Sequence, residues 1–253
     1  MKKCLIFLLV ASPIFALAQS SGKEVTKYTQ SWYSINTTFR FSNRWGMVAD
    51  YHVRRDNFMK DQFFYFVRVG GIYYVAEKHP VIAGVAHLWL APSAGSSTWS
   101  NENRIYQQWS GVTRQGHVTV LNRARLEERW RDQIVNDEVV GNKQFSLRLR
   151  YLASFEIQVL KDPKLPSLVV SDELLAQFGN NIAYNSFDQN RLFLGLKMPL
   201  SQKLSFDIGY MNILQQKPSG YQYDLSNVFR LFFYYTMDFT ANKHQQDQMD
   251  DAE

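Results

Sequence analysis

Arg123, Arg125, Glu127, Arg129 and Arg131 recur at every second position of one stretch, while Val118, Val120, Ala124, Leu126 and Trp130 take the other side. Side chains of a strand point by turns to opposite faces, so this spacing gathers the charges on one face and the apolar groups on the other. A guanidinium is a planar fork of donors that meets a carboxylate or a phosphate two bonds at a time. The row can therefore close ion pairs with acidic neighbours or hold an anionic ligand. Arg148 and Arg150 oppose Leu147, Leu149 and Tyr151 in the same way, and Arg191 and Lys197 oppose Leu192, Leu194 and Leu196. Asp50, His52 and Arg54, with Arg68, His87, Glu156, Glu173 and Asp207, add further polar groups at strand spacing.

Familiar catalytic patterns are missing. There is no Gly-x-Ser-x-Gly elbow, no His-Glu-x-x-His, no glycine-rich phosphate loop and no EF-hand loop. A hydrolytic triad can still assemble from separate strands, and His52 beside Asp50, or His87, would be its base. As hydrogen-bonding residues of a barrel interior the same histidines need no chemistry. His79 and His117 fall at turns and His244 in the tail, so the spacing supplies no metal cluster and no cofactor is expected.

The elements that would carry these residues share a two-residue period. Candidate strands run over residues 28–41, 44–55, 62–76, 81–91, 102–115, 117–131, 143–157, 168–178, 187–199, 203–215 and 227–239, with Gly, Pro, Asn, Asp or Ser in most gaps. In the last one, Phe229, Leu231, Phe233, Tyr235, Met237 and Phe239 alternate with Val228, Arg230, Phe232, Tyr234, Thr236 and Asp238. That pattern, ending on an aromatic, suits a strand with one face in lipid. Each segment is long enough for the roughly 9 to 11 tilted residues that cross a bilayer core.

Arginine facing lipid at mid-depth costs about 2 to 4 kcal/mol, so the arginine rows must look inward. The fold class that follows is all-β: an antiparallel up-and-down transmembrane β-barrel of about 10 to 12 strands. Single-chain bacterial barrels have even strand numbers, so the eleven segments point to twelve, with one short strand near the N-terminus unread, or else to ten. Turns at 42–43, 77–80, around Gly116 and at 201–202 are expected on the periplasmic side. Longer links at 56–61, 92–101, 132–142, 179–186 and 216–226 are expected outside. Trp32, Trp45, Tyr73, Tyr74, Trp89, Trp109, Trp130, Tyr210, Tyr234 and Tyr235 are expected in aromatic girdles at the headgroup levels.

Composition supports one address. Met1, Lys2 and Lys3 precede an apolar run from Leu5 to Leu17, interrupted by Pro13 and followed by small residues at Ala16 and Ala18. Residues 1–18 read as a secretory signal peptide with cleavage near Ala18, residues 19–240 as the barrel and 241–253 as a polar, disordered periplasmic tail. Cys4 lies in the leader, so the mature chain would have no thiol. A mean hydropathy of −0.31 is too polar for a helical membrane protein. The net charge of +5 falls to +3 without Lys2 and Lys3, which argues for no nucleic-acid partner. The partners of such a chain are outer-membrane lipids, the barrel-assembly machinery and a small anionic solute.

The segments QSWYSINTTFRFSNRWGMVADYHVRRDN, LNRARLEERW, SDELLAQFG and SFDQNRLFLGLKMPLSQKLSFDIGYMN resemble those of an uncharacterised bacterial family, domain of unknown function 2490, over almost the whole mature chain. The resemblance rests on Arg123, Arg125, Glu127 and Arg129, on Asp172-Glu173, and on Gln189-Asn190-Arg191. It implies an outer-membrane barrel of a Gram-negative bacterium and implies no activity.

Two readings of the interior stay open. In one, Arg123, Arg125, Glu127, Arg129, Arg148, Arg150, Glu173 and Arg191 form a lumen charge network that only fills a narrow barrel. In the other, the excess of arginine binds an anionic solute or headgroup. The corresponding functions are a narrow channel or binding barrel for small anionic or amphipathic solutes, or a barrel serving envelope integrity. An outer-membrane lipid-modifying enzyme of lipase or deacylase type is the alternative.

Overall fold

The computed structural model describes residues 22–93, 95–162 and 164–240; the expected signal peptide and the expected polar tail lie outside the described residues. Eleven strands form one closed barrel: β1 (Glu24–Arg40), β2 (Trp45–Asp56), β3 (Asp61–Ala76), β4 (His79–Leu90), β5 (Ser100–Gln115), β6 (Val118–Val135), β7 (Glu138–Ile157), β8 (Ser167–Phe178), β9 (Phe187–Pro199), β10 (Leu204–Gln216) and β11 (Gln222–Asp238). Every neighbour pairs antiparallel except at the seam, where β1 and β11 run parallel in register from Glu24 opposite Gln222 to Arg40 opposite Asp238. The fold class is the expected β-barrel, and the strand number is neither twelve nor ten. Eleven strands laid up and down leave the first and last pointing the same way, so closure requires a parallel ladder, whose evenly spaced, slanted bonds satisfy both edges.

The rim where β1 begins, here the upper rim, carries the connections 57–60, 91–99, 136–137, 179–186 and 217–221. The lower rim carries 41–44, 77–78, 116–117, 158–166 and 200–203. Two connections break the expected alternation of lengths. The link expected at 132–142 is a two-residue turn, Asn136-Asp137, because both residues take positive φ (51° and 63°), which matches the twist of a hairpin and lets β6 and β7 project beyond the wall. Conversely, 158–166 on the lower rim is long.

The sequence pattern sorts the two faces. On β11, Phe229, Leu231, Phe233 and Tyr235 point outward, where Phe233 packs on Phe206 at 5.6 Å; Val228, Arg230, Phe232 and Tyr234 point inward. The outer surface is apolar over much of its area, with Ile35, Val67, Val85, Ile105, Leu126, Leu149, Leu174 and Leu194 all exposed. The interior is packed. Trp32, Val169, Phe193, Met211, Ile213 and Val228 make one buried cluster, and Phe64, Phe66, Ala86 and Leu88 another on the facing wall. Each such side chain removed from water contributes about 1.5 to 3 kcal/mol. Gly70 and Gly84 are direct cross-strand partners under the Tyr106 ring, which is 1% exposed. A Cβ on Gly84 would lie 2.6 Å from Gly70 Cα and 2.8 Å from that ring, so only the bare backbone leaves room for the tyrosine.

Candidate functional site in the barrel interior

The charged face of β6 meets those of β5, β7, β8 and β9 inside the barrel. Glu173 accepts from three arginines of three strands: Arg123 at 2.7 Å, Arg150 at 2.8 and 2.9 Å, and Arg191 at 3.3 Å. Glu127 accepts from Arg150 at 2.7 Å and Arg104 at 3.3 Å, with Arg125 at 3.6 Å. Arg150 therefore joins the two carboxylates. Above them, Glu102 pairs with Arg104 at 2.6 Å and Arg131 at 3.2 Å, and Asp188 approaches Arg148 at 2.6 Å. Arg129 donates to Gln177 at 3.0 Å and Arg125 to Gln108 at 2.8 Å, both neutral acceptors. Two smaller pairs complete the interior: Asp50 with Arg68, and Asp207 with Arg230 and the Tyr234 hydroxyl.

Arginine outnumbers acid in this volume, and the surplus has a location. Arg54, near the upper end of β2, stacks on its cross-strand partner Trp32, 3.2 Å from the ring centroid, and on Phe64 at 4.3 Å. Among the described residues it has no carboxylate partner, and its Nε is buried without a hydrogen bond. The Arg191 guanidinium lies 5.4 Å from the same indole. Arg191 already shares Glu173 with two other arginines, so the carboxylate charge there is spent. Aromatic faces attract cations and hold the two forks in place. They supply no net negative charge. An oxyanion placed between them would remove an unbalanced repulsion.

His52 is buried, with its ring edge-on to Phe66 at 5.0 Å and Phe232 at 5.5 Å, and neither ring nitrogen has a hydrogen-bond partner among the described residues. Its direct cross-strand partner is Ser34, whose hydroxyl accepts from Asn36 at 2.8 Å and makes no hydrogen bond with the imidazole. His87 departs from the expected lumen position: it sits on the outer face, hydrogen-bonded to Asn103 at 2.6 Å and packed on Trp89. The reason is visible in β4, where Val81, Val85 and Trp89 face out while Ile82, Ala86 and Leu88 face in, so both faces are apolar and periodicity carries no label. Among the described residues, no group of three or more His, Cys, Asp or Glu is placed to hold a metal ion.

Asp50, Arg123, Arg125, Glu127, Arg129, Arg148, Arg150, Glu173 and Arg191 all lie in the interior. Sequence reading did not single out Glu102, Arg104, Gln108 or Asp188, and it placed Trp32 and Tyr234 among the girdle aromatics although both are internal. The signal for Trp32 was its alternation with Ser34, Asn36 and Thr38, which puts it on the polar face. The outer wall holds a groove of about 630 Å³ beside Val67, Val85, His87, Ile105 and Trp130, where atoms of Arg68 and Arg104 also contribute to the lining.

No curated protein and no solved structure matches the chain. A family model described as "Protein of unknown function (DUF2490)" matches residues 29–224, from β1 into β11 and across the interior arginines and carboxylates other than Arg230. The chain belongs to the DUF2490 family.

Proposed function

We propose that this protein is an outer-membrane barrel whose interior holds a small anionic solute, bound where Arg54 and Arg191 flank Trp32. The single observation behind the ligand is Arg54, an internal guanidinium stacked between aromatics with no carboxylate partner among the described residues. Behind the address stand the exposed apolar outer face, which in water would need covering, and the leader-like N-terminus. Packing of Trp32, Phe193 and Tyr106 across the interior favours a binding barrel over an open pore.

The test uses the refolded chain in lipid bilayers. Titration with citrate or inorganic phosphate should change Trp fluorescence, and Arg54→Gln should weaken binding at least tenfold, as should Trp32→Leu. Anion-selective current in a planar bilayer that falls in Arg54→Gln would convert the binding barrel into a channel. Binding unaltered by Arg54→Gln, or none in the native chain, overturns the reading.

A further inference from the structure

Asp172 stands near the middle of β8 on the outer face, directly opposite Ala153 of β7 and Leu192 of β9, with Val170 and Leu174 above and below it. The side chain of Asn190 donates to it at 2.6 Å, and among the described residues no cation pairs with it. A carboxylate so placed in a membrane wall is costly unless something polar reaches it. Three strands away, Gln107 stands near the middle of β5, also outward and exposed, between Ile105 and Trp109 and opposite Ala83 and Leu126. Its amide donors have no partner within the chain among the described residues.

Between these two groups the outer face of β6 and β7 carries the exposed Leu126, Leu149 and Tyr151 beside two small residues. Ala124 and Ala153 carry only methyl groups, and the Tyr151 hydroxyl donates to Asn122 at 2.8 Å, leaving the Asn122 amide nitrogen free. Elsewhere on the outer wall Ile35, Val69, Ile208, Leu231 and Phe233 are apolar, Asn103 pairs with His87, Asn190 with Asp172 and Asn212 with Tyr210, and Asn227, like Asn122, accepts from a tyrosine hydroxyl.

We infer that the β5–β8 face is an interface between two copies of this chain, in which Gln107 of each copy donates to Asp172 of the other. The inference rests on the membrane reading above. A two-fold axis along the membrane normal sets the left of one face against the right of the other. With the axis between β6 and β7, β5 of one copy meets β8 of the second, so the acceptor and the free donor pair twice. Ala124 and Ala153 lie at the axis, where small side chains let the walls approach.

Cysteine cross-linking in bilayers decides it, on the full chain with Cys4→Ser. Ala124→Cys should cross-link to a second copy on oxidation, and Ile35→Cys, on the opposite wall, should not. Adding Gln107→Leu and Asp172→Leu to Ala124→Cys should lower cross-linking at least tenfold while leaving heat resistance of the barrel unchanged. A chain that floats with liposomes yet stays monomeric at Ala124→Cys, or that cross-links equally with and without the two leucines, overturns the interface alone. A chain that does not float with liposomes removes the membrane reading and the interface with it.

Discussion

Arg150 grips Glu173 through two nitrogens, with Nε at 3.0 Å from one carboxylate oxygen and Nη2 at 2.8 and 2.9 Å from both, while its Nη1 reaches Glu127 at 2.7 Å. The fork thus ties β6, β7 and β8 together from within.

Removing one member of such a pair leaves a buried charge unmatched, at a cost of about 3 to 5 kcal/mol. Glu173→Gln removes a carboxylate that three arginines share and leaves Arg123 and Arg191 without one, while Arg150 keeps Glu127, so the folded barrel should lose heat resistance on an unboiled gel. Arg150→Lys should lose nearly as much, because an ammonium cannot reproduce the fork. Unchanged melting in both would mean the ladder carries little stability.

The glycines of β3 and β4 separate two environments. Gly84→Val, and likewise Gly70→Val, drives side-chain atoms into Tyr106 and the facing backbone, which should cost at least about 1 to 3 kcal/mol and reduce folding yield. Gly71→Val points outward into open space and should fold as well as the parent. Refolding yields of the three variants, compared side by side, check the inward and outward assignment directly.

His52 offers the reverse test. Its ring nitrogens have no partner among the described residues, and replacing an unsatisfied buried polar group by an apolar one removes a desolvation penalty. His52→Leu should therefore equal or exceed the parent's stability, by on the order of 1 kcal/mol. A marked loss in urea unfolding would show that the imidazole has a bonding role.

On the upper rim, the Asp137 carboxylate accepts from the Ser96 hydroxyl, from the Ser97 hydroxyl at 2.7 Å and amide at 2.9 Å, and from the Thr98 amide at 2.9 Å. These donors hold its pKa well below the usual carboxylate range. A depressed folded value means the clamp acts fully above the unfolded pKa, near 3.9 for Asp, and is lost only as the pH falls through the lower folded value. Limited proteolysis within Ser96–Thr98 should therefore stay slow down to mildly acid pH, and Asp137→Asn should accelerate it already at neutral pH.

Much of this barrel is legible wherever the two faces of a strand differ in polarity. β6, β7 and β11 show it: arginine on one side and aliphatic or aromatic groups on the other fix the orientation by energy alone. β4 shows the limit, because its inward face packs against an apolar cluster and so resembles its outward face, which hid the side of His87. The interior location of Trp32, at the middle of β1, was obscured because tryptophan is enriched in the girdles of membrane barrels. Partners such as Arg54 on Trp32, or Arg150 between two glutamates, depend on the stagger between strands, which alternation within one strand does not encode.

The parallel seam also gives the barrel a direction. Because β1 and β11 travel the same way, the wall's first residue, Glu24, and its last, Asp238, lie at opposite rims. An even-stranded barrel returns both ends to one rim; this one places them at two. On the membrane reading proposed above, the polypeptide is a one-way stitch, and a protease-cleavable tag ahead of Glu24 and another beyond Asp238 would be cut from opposite sides of a sealed vesicle.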